Sequence, residues 1–168
     1  GKAENKSKLA QKDIDADWTK KNGERHFGYK DHVKCDADSK LITNYSVTSA
    51  SVHDSQRCLV FIGQEDEVLY ADSAYSGKPI ALALPENCKN QICEKGYRNS
   101  PLTSEQKMNN RRKSRIRCRI EQIFGFMTGA MHGITIRSIG ITRAWMNIGI
   151  TNLVYNFCRY SYLKRASA

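Results

Sequence analysis

Acidic residues are scarce in this sequence: 17 Asp and Glu stand against 27 Lys and Arg in 168 residues, leaving a formal net charge of +10. A balance this basic carries no information about fold, but it makes a polyanion the first partner to consider. Long hydrophobic runs are absent as well, and none approaches the roughly 20 residues needed to cross a bilayer. The opening stretch, Gly1 to Lys12, is polar and Lys-rich, which is not the pattern of a signal peptide. Secretion and membrane insertion are therefore not expected. Cysteine clusters are missing too: Cys35, Cys58, Cys88, Cys93, Cys118 and Cys158 are mostly isolated, whereas disulfide scaffolds are shorter and denser in Cys. Cys88 and Cys93 alone are close, with neither a second pair nor a nearby His to complete a zinc site. Reduced thiols follow as the expectation. There are no repeats and no low-complexity tracts. What remains is 40% apolar and 26% charged, enough for one domain with a core.

Residues 1–12 read as a polar lead-in, trailing through the alternating acids Asp13, Asp15 and Asp17 into a domain over 13–168. From Phe27 the pattern changes. Phe27, Tyr29, Val33 and Cys35 fall on one parity and His26, Lys30, His32 and Lys34 on the other, which is strand periodicity. Asp36 to Ser39 supplies a turn and Leu41 to Val47 the returning strand of a hairpin. A short helix is expected between His53 and Ile62. Val68-Leu69-Tyr70-Ala71, four apolar residues in a row, predicts a strand buried on both faces of an α/β sheet. Ser76 to Leu84 predicts a short helix stopped by Pro85, and Gln91 to Cys93 a weak strand.

Thr103-Ser104-Glu105-Gln106 has the spacing of a capping box, so a long helix should follow. Its apolar residues Ile116, Ile120, Ile123, Phe124 and Met127 form one stripe, and Gly129 and Gly133 end it. A second helix spans about Thr142 to Leu163, with Met146, Ile150, Leu153, Val154 and Phe157 at the same spacing. That spacing marks an apolar face. The order of elements argues for an α/β or α+β domain.

The positive charge is concentrated. Lys107, Arg111, Arg112, Lys113, Arg115, Arg117 and Arg119 crowd the first half of the long helix, and Arg111, Arg115 and Arg119 step by four along one ridge. Like charges at that spacing repel, so a bare helix gains nothing from them, whereas a DNA backbone lying along it would relieve the repulsion. Glu121 sits on the same helix beside the apolar stripe and four residues after Arg117, which also allows a simple ion pair. Asp72 closes the apolar strand, where α/β sheets place their sites, and could equally cap the next turn. Together Asp72 and Glu121 could hold Mg²⁺ (or Mn²⁺), which takes oxygen ligands and gives acids a place inside a DNA-binding surface.

Several segments resemble the DDE-class insertion-sequence transposases, specifically the IS-five group. Asp15-Ala16-Asp17-Trp18-Thr19-Lys20-Lys21 with His26-Phe27-Gly28-Tyr29-Lys30-Asp31-His32 resembles that group's "DARWTKK … YGYKNH". Ser51 to Gln56 resembles its "ASVHDSQ", and Tyr70 to Tyr75 its "WADSAY". Arg115 to Gly125 resembles "RVRARVEHVFG"; Arg137 to Ala144 with Asn152 to Asn156 resembles "RTIGIxRA … NLxYN". These motifs occur in order between about Lys12 and Leu163.

The resemblance implies an α/β, RNase H-like (ribonuclease H) fold, a mixed sheet with flanking helices, and the C-terminal part of a transposase catalytic domain. It implies Mg²⁺-dependent DNA cleavage and strand transfer in transposition, with the terminal inverted repeats of the element as double-stranded DNA partner and a bacterial, cytoplasmic and nucleoid-associated setting. Asp72 and Glu121 would be catalytic metal ligands, and Arg117 part of the family's Tyr-x2-Arg-x3-Glu-x6-Lys signature. Ser114 stands where its Tyr is expected and Thr128 where its Lys is expected. The family's first catalytic Asp lies on a central strand upstream of the first motif, and nothing before Lys12 reads as a strand. The expectation is therefore a chain lacking that strand, inactive alone, poorly stable, and reliant on self-association or an N-terminal companion chain. Asp15, Asp17, Asp36 and Asp54 are the acids that could complete the site. Two other readings stay open: a non-catalytic basic DNA-binding module, and a zinc-stabilised domain around Cys88 and Cys93.

Overall fold

The computed structural model describes residues 11–21, 23–133 and 135–167, so most of the expected lead-in over 1–12 lies outside the described residues. Strand structure begins inside the acidic stretch. Asp17–Lys21 (β1) pairs antiparallel with Glu24–Cys35 (β2), Trp18 facing Phe27 and Lys20 facing Arg25. Beyond Gly28 the long strand changes partner, and Tyr29 to Cys35 pair with Ile42–Ser49 (β3). The change falls at Gly28, whose φ of +144° is a conformation that residues with a Cβ rarely adopt. The β2–β3 turn is organised by Asp36, whose Oδ1 accepts from the backbone N–H of Ser39 at 2.6 Å and of Asp38 at 3.2 Å. The expected hairpin is present.

Alternation along β2 sends its side chains to two sides. Val33 and Cys35 join Ile42, Tyr45, Ile120, Ile123, Phe124, Met127 and Tyr155 in one apolar cluster. On the opposite parity Lys34 donates to the Phe61 carbonyl at 2.9 Å and pairs with Asp66 at 2.6 Å. Lys30 donates to the Val52 carbonyl at 2.8 Å. This polar row holds the segment after β3, which contains the helix Ser55–Phe61 (α1).

A second cluster is built from Cys58, Ile80 and Ile92, with Ile62, Leu69, Ala71 and Tyr75 packed on it. It unites α1, the helix Lys78–Ala83 (α2) and a parallel pair, Val68–Leu69 (β4) with Lys89–Asn90 (β5). Hydrogen bonds extend that ladder beyond the two short strands: Lys89, Gln91 and Cys93 donate to the carbonyls of Glu67, Leu69 and Ala71. The expected strands at 68–71 and 91–93 are thus both in the ladder. Burial on both faces is a correction: Val68 and Leu69 are half-buried, because β4 has a strand neighbour on one edge alone among the described residues.

The capping box forms as expected, with Thr103 accepting from Gln106 N–H and Gln106 accepting from Thr103 N–H, and it starts Ser104–Arg117 (α3). The single long helix does not: the chain breaks at Cys118 and resumes as Arg119–Gly129 (α4). No Gly or Pro marks that break. Its cause is tertiary, because Asn110 and Lys113 hold α3 to Glu94 and Ile92 while Arg119 turns toward Ala37 and Asp38. Of the expected stripe, Ile123 and Met127 are fully buried.

Ile141–Ala166 (α5) packs on β3, and here the choice of face is corrected. Met146, Ile150, Leu153, Val154 and Phe157 are exposed, Met146 and Phe157 at 63% each. The packed face is Ala144, Ile148, Asn152 and Tyr155. It is chosen by polar groups that fit the hairpin. Asn156 accepts from Ile42 N–H and donates to its carbonyl, both at 2.8 Å. Tyr155 donates to the Lys40 carbonyl at 3.0 Å and Arg159 to that of Ser39 at 2.6 Å. A Cβ at Gly149 would overlap the Tyr45 hydroxyl, so glycine allows the close approach. At the N-terminus of α5, Asp13 and Asp15 accept from Gly140 and Ile141 N–H, a capping arrangement favoured by the helix dipole.

Two stability predictions follow from this packing. Ile123→Ala removes a fully buried side chain and should cost about 2–5 kcal/mol, whereas Leu153→Ala on the exposed stripe should cost about 0.5 kcal/mol or less; denaturant titration of both variants checks this. Asp31 is the second case. Its carboxyl and the Asn152 amide are buried without a hydrogen bond of good geometry. Burial pushes the Asp31 carboxyl up to about 6, with Asn152 opposing. The unfolded chain therefore ionises first, and stability should fall as pH rises from about 4 to about 6, by on the order of 2–3 kcal/mol. Asp31→Asn should remove that slope and raise the melting temperature at pH 7. An unchanged slope would exclude Asp31 as its source.

Candidate metal and nucleic-acid site

The parallel ladder ends at Ala71, and Asp72 is the next residue. Its backbone turns there into a short 3-10 turn over Ser73–Tyr75, with Asp72 Oδ1 accepting from Ser73 N–H at 2.5 Å and from the Ser73 hydroxyl at 3.2 Å. The side chain is thus both things its position allowed, a cap and a strand-end carboxylate. Oδ2 carries no hydrogen bond from the described residues, and Asp72 is exposed.

The basic helix docks beside this strand end. Asn110 of α3 accepts from Glu94 N–H at 2.8 Å and donates to its carbonyl at 2.9 Å, and Lys113 donates to the Ile92 carbonyl at 3.0 Å. Ser114, where the resembling family carries Tyr, lies 3.8 Å from the Cys93 sulfur. Cys93 is the residue whose N–H closes the ladder on Ala71, so α3 lies one ladder step from Asp72.

The cations fall into two groups. Lys113 is half-buried and also faces Glu94 at 4.0 Å. Arg119 bonds the Ala37 carbonyl and lies 3.3 Å from Asp38. Arg117 pairs with Glu121 at 3.1 Å. Arg111, Arg112 and Arg115 are exposed, and no acid of the described residues pairs with them. The expected ridge of Arg111, Arg115 and Arg119 ends at the Cys118 break.

Glu121 is more exposed than its place beside the apolar stripe suggested, with 61% of its side chain open to solvent. One oxygen faces Arg117, as an i,i+4 pair allows. Thr128, seven residues on, donates its hydroxyl to the Phe124 carbonyl. Among the described residues no three His, Cys, Asp or Glu side chains converge on a metal-sized space. No hydrogen bond or ion pair of the described residues joins Asp72 to Glu121; each keeps one oxygen uncommitted, the kind of donor that Mg²⁺ takes together with substrate phosphate and water.

The four acids that could complete the site are elsewhere engaged. Asp15 caps α5. Asp17 is held below the usual carboxylate range by hydrogen bonds from Ser51 and Trp18 N–H, and Asp36 by those from Ser39. Asp54 is engaged by the polar row of β2. It lies 3.4 Å from Lys30 and 3.7 Å from His32 Nδ1, while His32 Nε2 meets the Thr48 hydroxyl at 2.8 Å. Burial lowers the His32 pKa, with Asp54 opposing. Burial also pushes Tyr75 up to about 12, and the charges of Asp54, Cys58 and Asp72 add to it. The parity of Lys30 and His32 on β2 was the available sign of this cluster; the place of Asp54 opposite them depends on the chain reversal after β3.

Comparison with known proteins supplies the family. Residues 5–157 match the family described as the transposase DDE domain. The chain is also similar to the transposase for insertion sequence element IS1106 of Neisseria meningitidis serogroup B, with 34% identity over 117 residues. That match covers 68% of this chain and 40% of the Neisseria protein. No solved structure matches. Among the described residues no helix is long and apolar enough to cross a membrane.

The two groups of cations should separate in a melting experiment. Arg119→Ala leaves the carbonyl of Ala37 without its donor and should destabilise by about 1–2 kcal/mol, whereas Arg111→Ala and Arg115→Ala should each stay within about 0.5 kcal/mol of the parent.

Proposed function

The chain belongs to the DDE-domain transposases, and from that premise we propose that it is a DNA-handling portion of an insertion-sequence transposase, with Asp72 and Glu121 as ligands for a divalent ion and Arg111, Arg112 and Arg115 as phosphate contacts. The observation that carries the reading is the docking of α3 on the Ile92–Glu94 segment, which brings the basic helix to the strand end that bears Asp72. A strand-end carboxylate beside a positive helix is where a phosphodiester and a metal can share one place. An RNase H-like sheet is the fold this family membership favours, and Mg²⁺ the ion that the all-oxygen donors favour. The terminal inverted repeats of the element are the proposed duplex.

When bound, the divalent ion would polarise a phosphodiester and neutralise charge on its oxygens. The chain's own residues divide the remaining work. Asp72 is fixed by Ser73, so its free oxygen is pre-positioned at the ladder's end. Glu121 is steered by Arg117, which also offsets its charge near the DNA. The exposed arginines hold the backbone in register without reading sequence. Two carboxylates alone do not complete a two-ion clamp, so cleavage calls for a further acid beside Asp72 and Glu121.

The test combines a duplex-binding titration with a plasmid assay. Duplex affinity should fall steeply with salt, and reversing Arg111 and Arg115 to Glu should lower both affinity and the salt slope, the slope by about one for each phosphate no longer neutralised. Mn²⁺ binding followed by electron paramagnetic resonance should weaken in Asp72→Ala and in Glu121→Ala, with duplex binding retained. Metal binding indifferent to both substitutions would leave the second reading, a basic module that holds DNA without metal, which the Arg117–Glu121 pair at 3.1 Å favours. Plasmid cleavage by the parent, abolished in both variants, would mean that a third acid completes the site.

A further inference from the structure

The β1–β2 arm has two unlike sides. On one, Lys21 faces Glu24 across the strands and His26 lies 3.9 Å from the same Glu24, an ordinary arrangement of opposite charges. On the other, Trp18 faces Phe27 and, two residues along, Lys20 faces Arg25. The two rings stand 5.2 Å apart, tilted by 52°, and are 59% and 52% exposed. Lys20 and Arg25 are exposed and have no ion-pair partner among the described residues.

The Trp18–Phe27 pair supports the ribbon but leaves more than half of each residue in water, and the Lys20–Arg25 pair opposes it. Like charges directly opposite in a sheet repel, and aromatic surface left in water gains nothing from burial. A ligand with both a flat apolar face and a phosphate would satisfy both halves at once. Duplex DNA offers phosphates but keeps its base faces stacked inside. An unpaired strand or frayed end offers both, and aromatic stacking with cationic contact is how such strands are held.

We propose that the Trp18–Phe27 face of this arm is a stacking platform for unpaired bases of DNA, with Lys20 and Arg25 taking the flanking phosphate. It rests on the reading of the chain as a DNA-handling transposase, and it adds a second binding surface separate from the arginines of α3. The occupant is the strand end that opens when DNA is cut or distorted.

The experiment uses the whole chain with two labelled probes, an oligothymidine of roughly twelve nucleotides and a blunt duplex, since single-strand sites commonly span about 4–16 nucleotides. Trp18→Ala should weaken oligothymidine binding about tenfold, the scale of one base stack removed, and leave duplex binding within about twofold. Trp18→Phe should restore most of the affinity. Reversing Lys20 and Arg25 to Glu should weaken oligothymidine binding without touching either ring, so the test does not depend on one variant folding. Equal weakening on both probes, or oligothymidine binding indifferent to Trp18, overturns the platform. If duplex binding still depends on Arg111 and Arg115 in that case, the transposase reading stands and this inference alone fails. A parent that binds neither probe sinks both.

Discussion

Lys34 holds this molecule's two apolar clusters together. Its ammonium spans from the end of β2 to the Phe61 carbonyl and the Asp66 carboxylate, and Asp66 also accepts from Gly63 N–H at 2.8 Å. On one side of β2 lies the cluster around Ile123 and Met127, and on the other the segment leading into β4. With Lys30, which reaches the Val52 carbonyl and Asp54, that charged link ties the segment leading to β4 and Asp72 to the hairpin. The pair is partly buried, with about a quarter of the Lys34 side chain and less of Asp66 exposed, so water screens it less than a surface pair.

What the sequence made legible were features set by neighbours along the chain. The alternation from Phe27 to Cys35, the capping box at Thr103 and the four-residue steps of α4 all depend on residues a few positions apart. The features that stayed hidden depend on distant partners. Cys118 carries no helix-breaking chemistry, and the helix breaks there because its two halves are anchored to Glu94 and to Ala37. Hydrophobic spacing selected the wrong face of α5, because that helix is apolar on more than one side and its packing is decided by Tyr155, Asn156 and Arg159 finding backbone groups of the hairpin. Asp72 at a strand end was legible; the neighbourhood of Asp54 and Tyr75 was not, since it requires knowing how the chain returns after β3.

The same contrast applies to the charge on α3 and α4. A count of cations treats all alike, whereas the structure commits Lys113, Arg117 and Arg119 to a carbonyl, an acid and a turn. These three answer part of the repulsion that a dense run of positive charge creates. The remainder, Arg111, Arg112 and Arg115, forms a smaller but unobstructed surface. Asp31 shows the reverse, a charge with too little to answer it, at a position where the resembling stretch carries Asn.

The Asn156 clamp on Ile42 also dictates an order of assembly. Donor and acceptor lie 114 residues apart along the chain, and the Arg159 contact with Ser39 spans 120. During synthesis the hairpin emerges long before the helix that grips its turn. The turn is already set by Asp36, so the later grip of Asn156 and Arg159 closes a long loop over a preformed hairpin, at an entropy cost that grows only slowly with loop length. Until that grip forms, the backbone groups of Ser39, Lys40 and Ile42 that it satisfies are left to water.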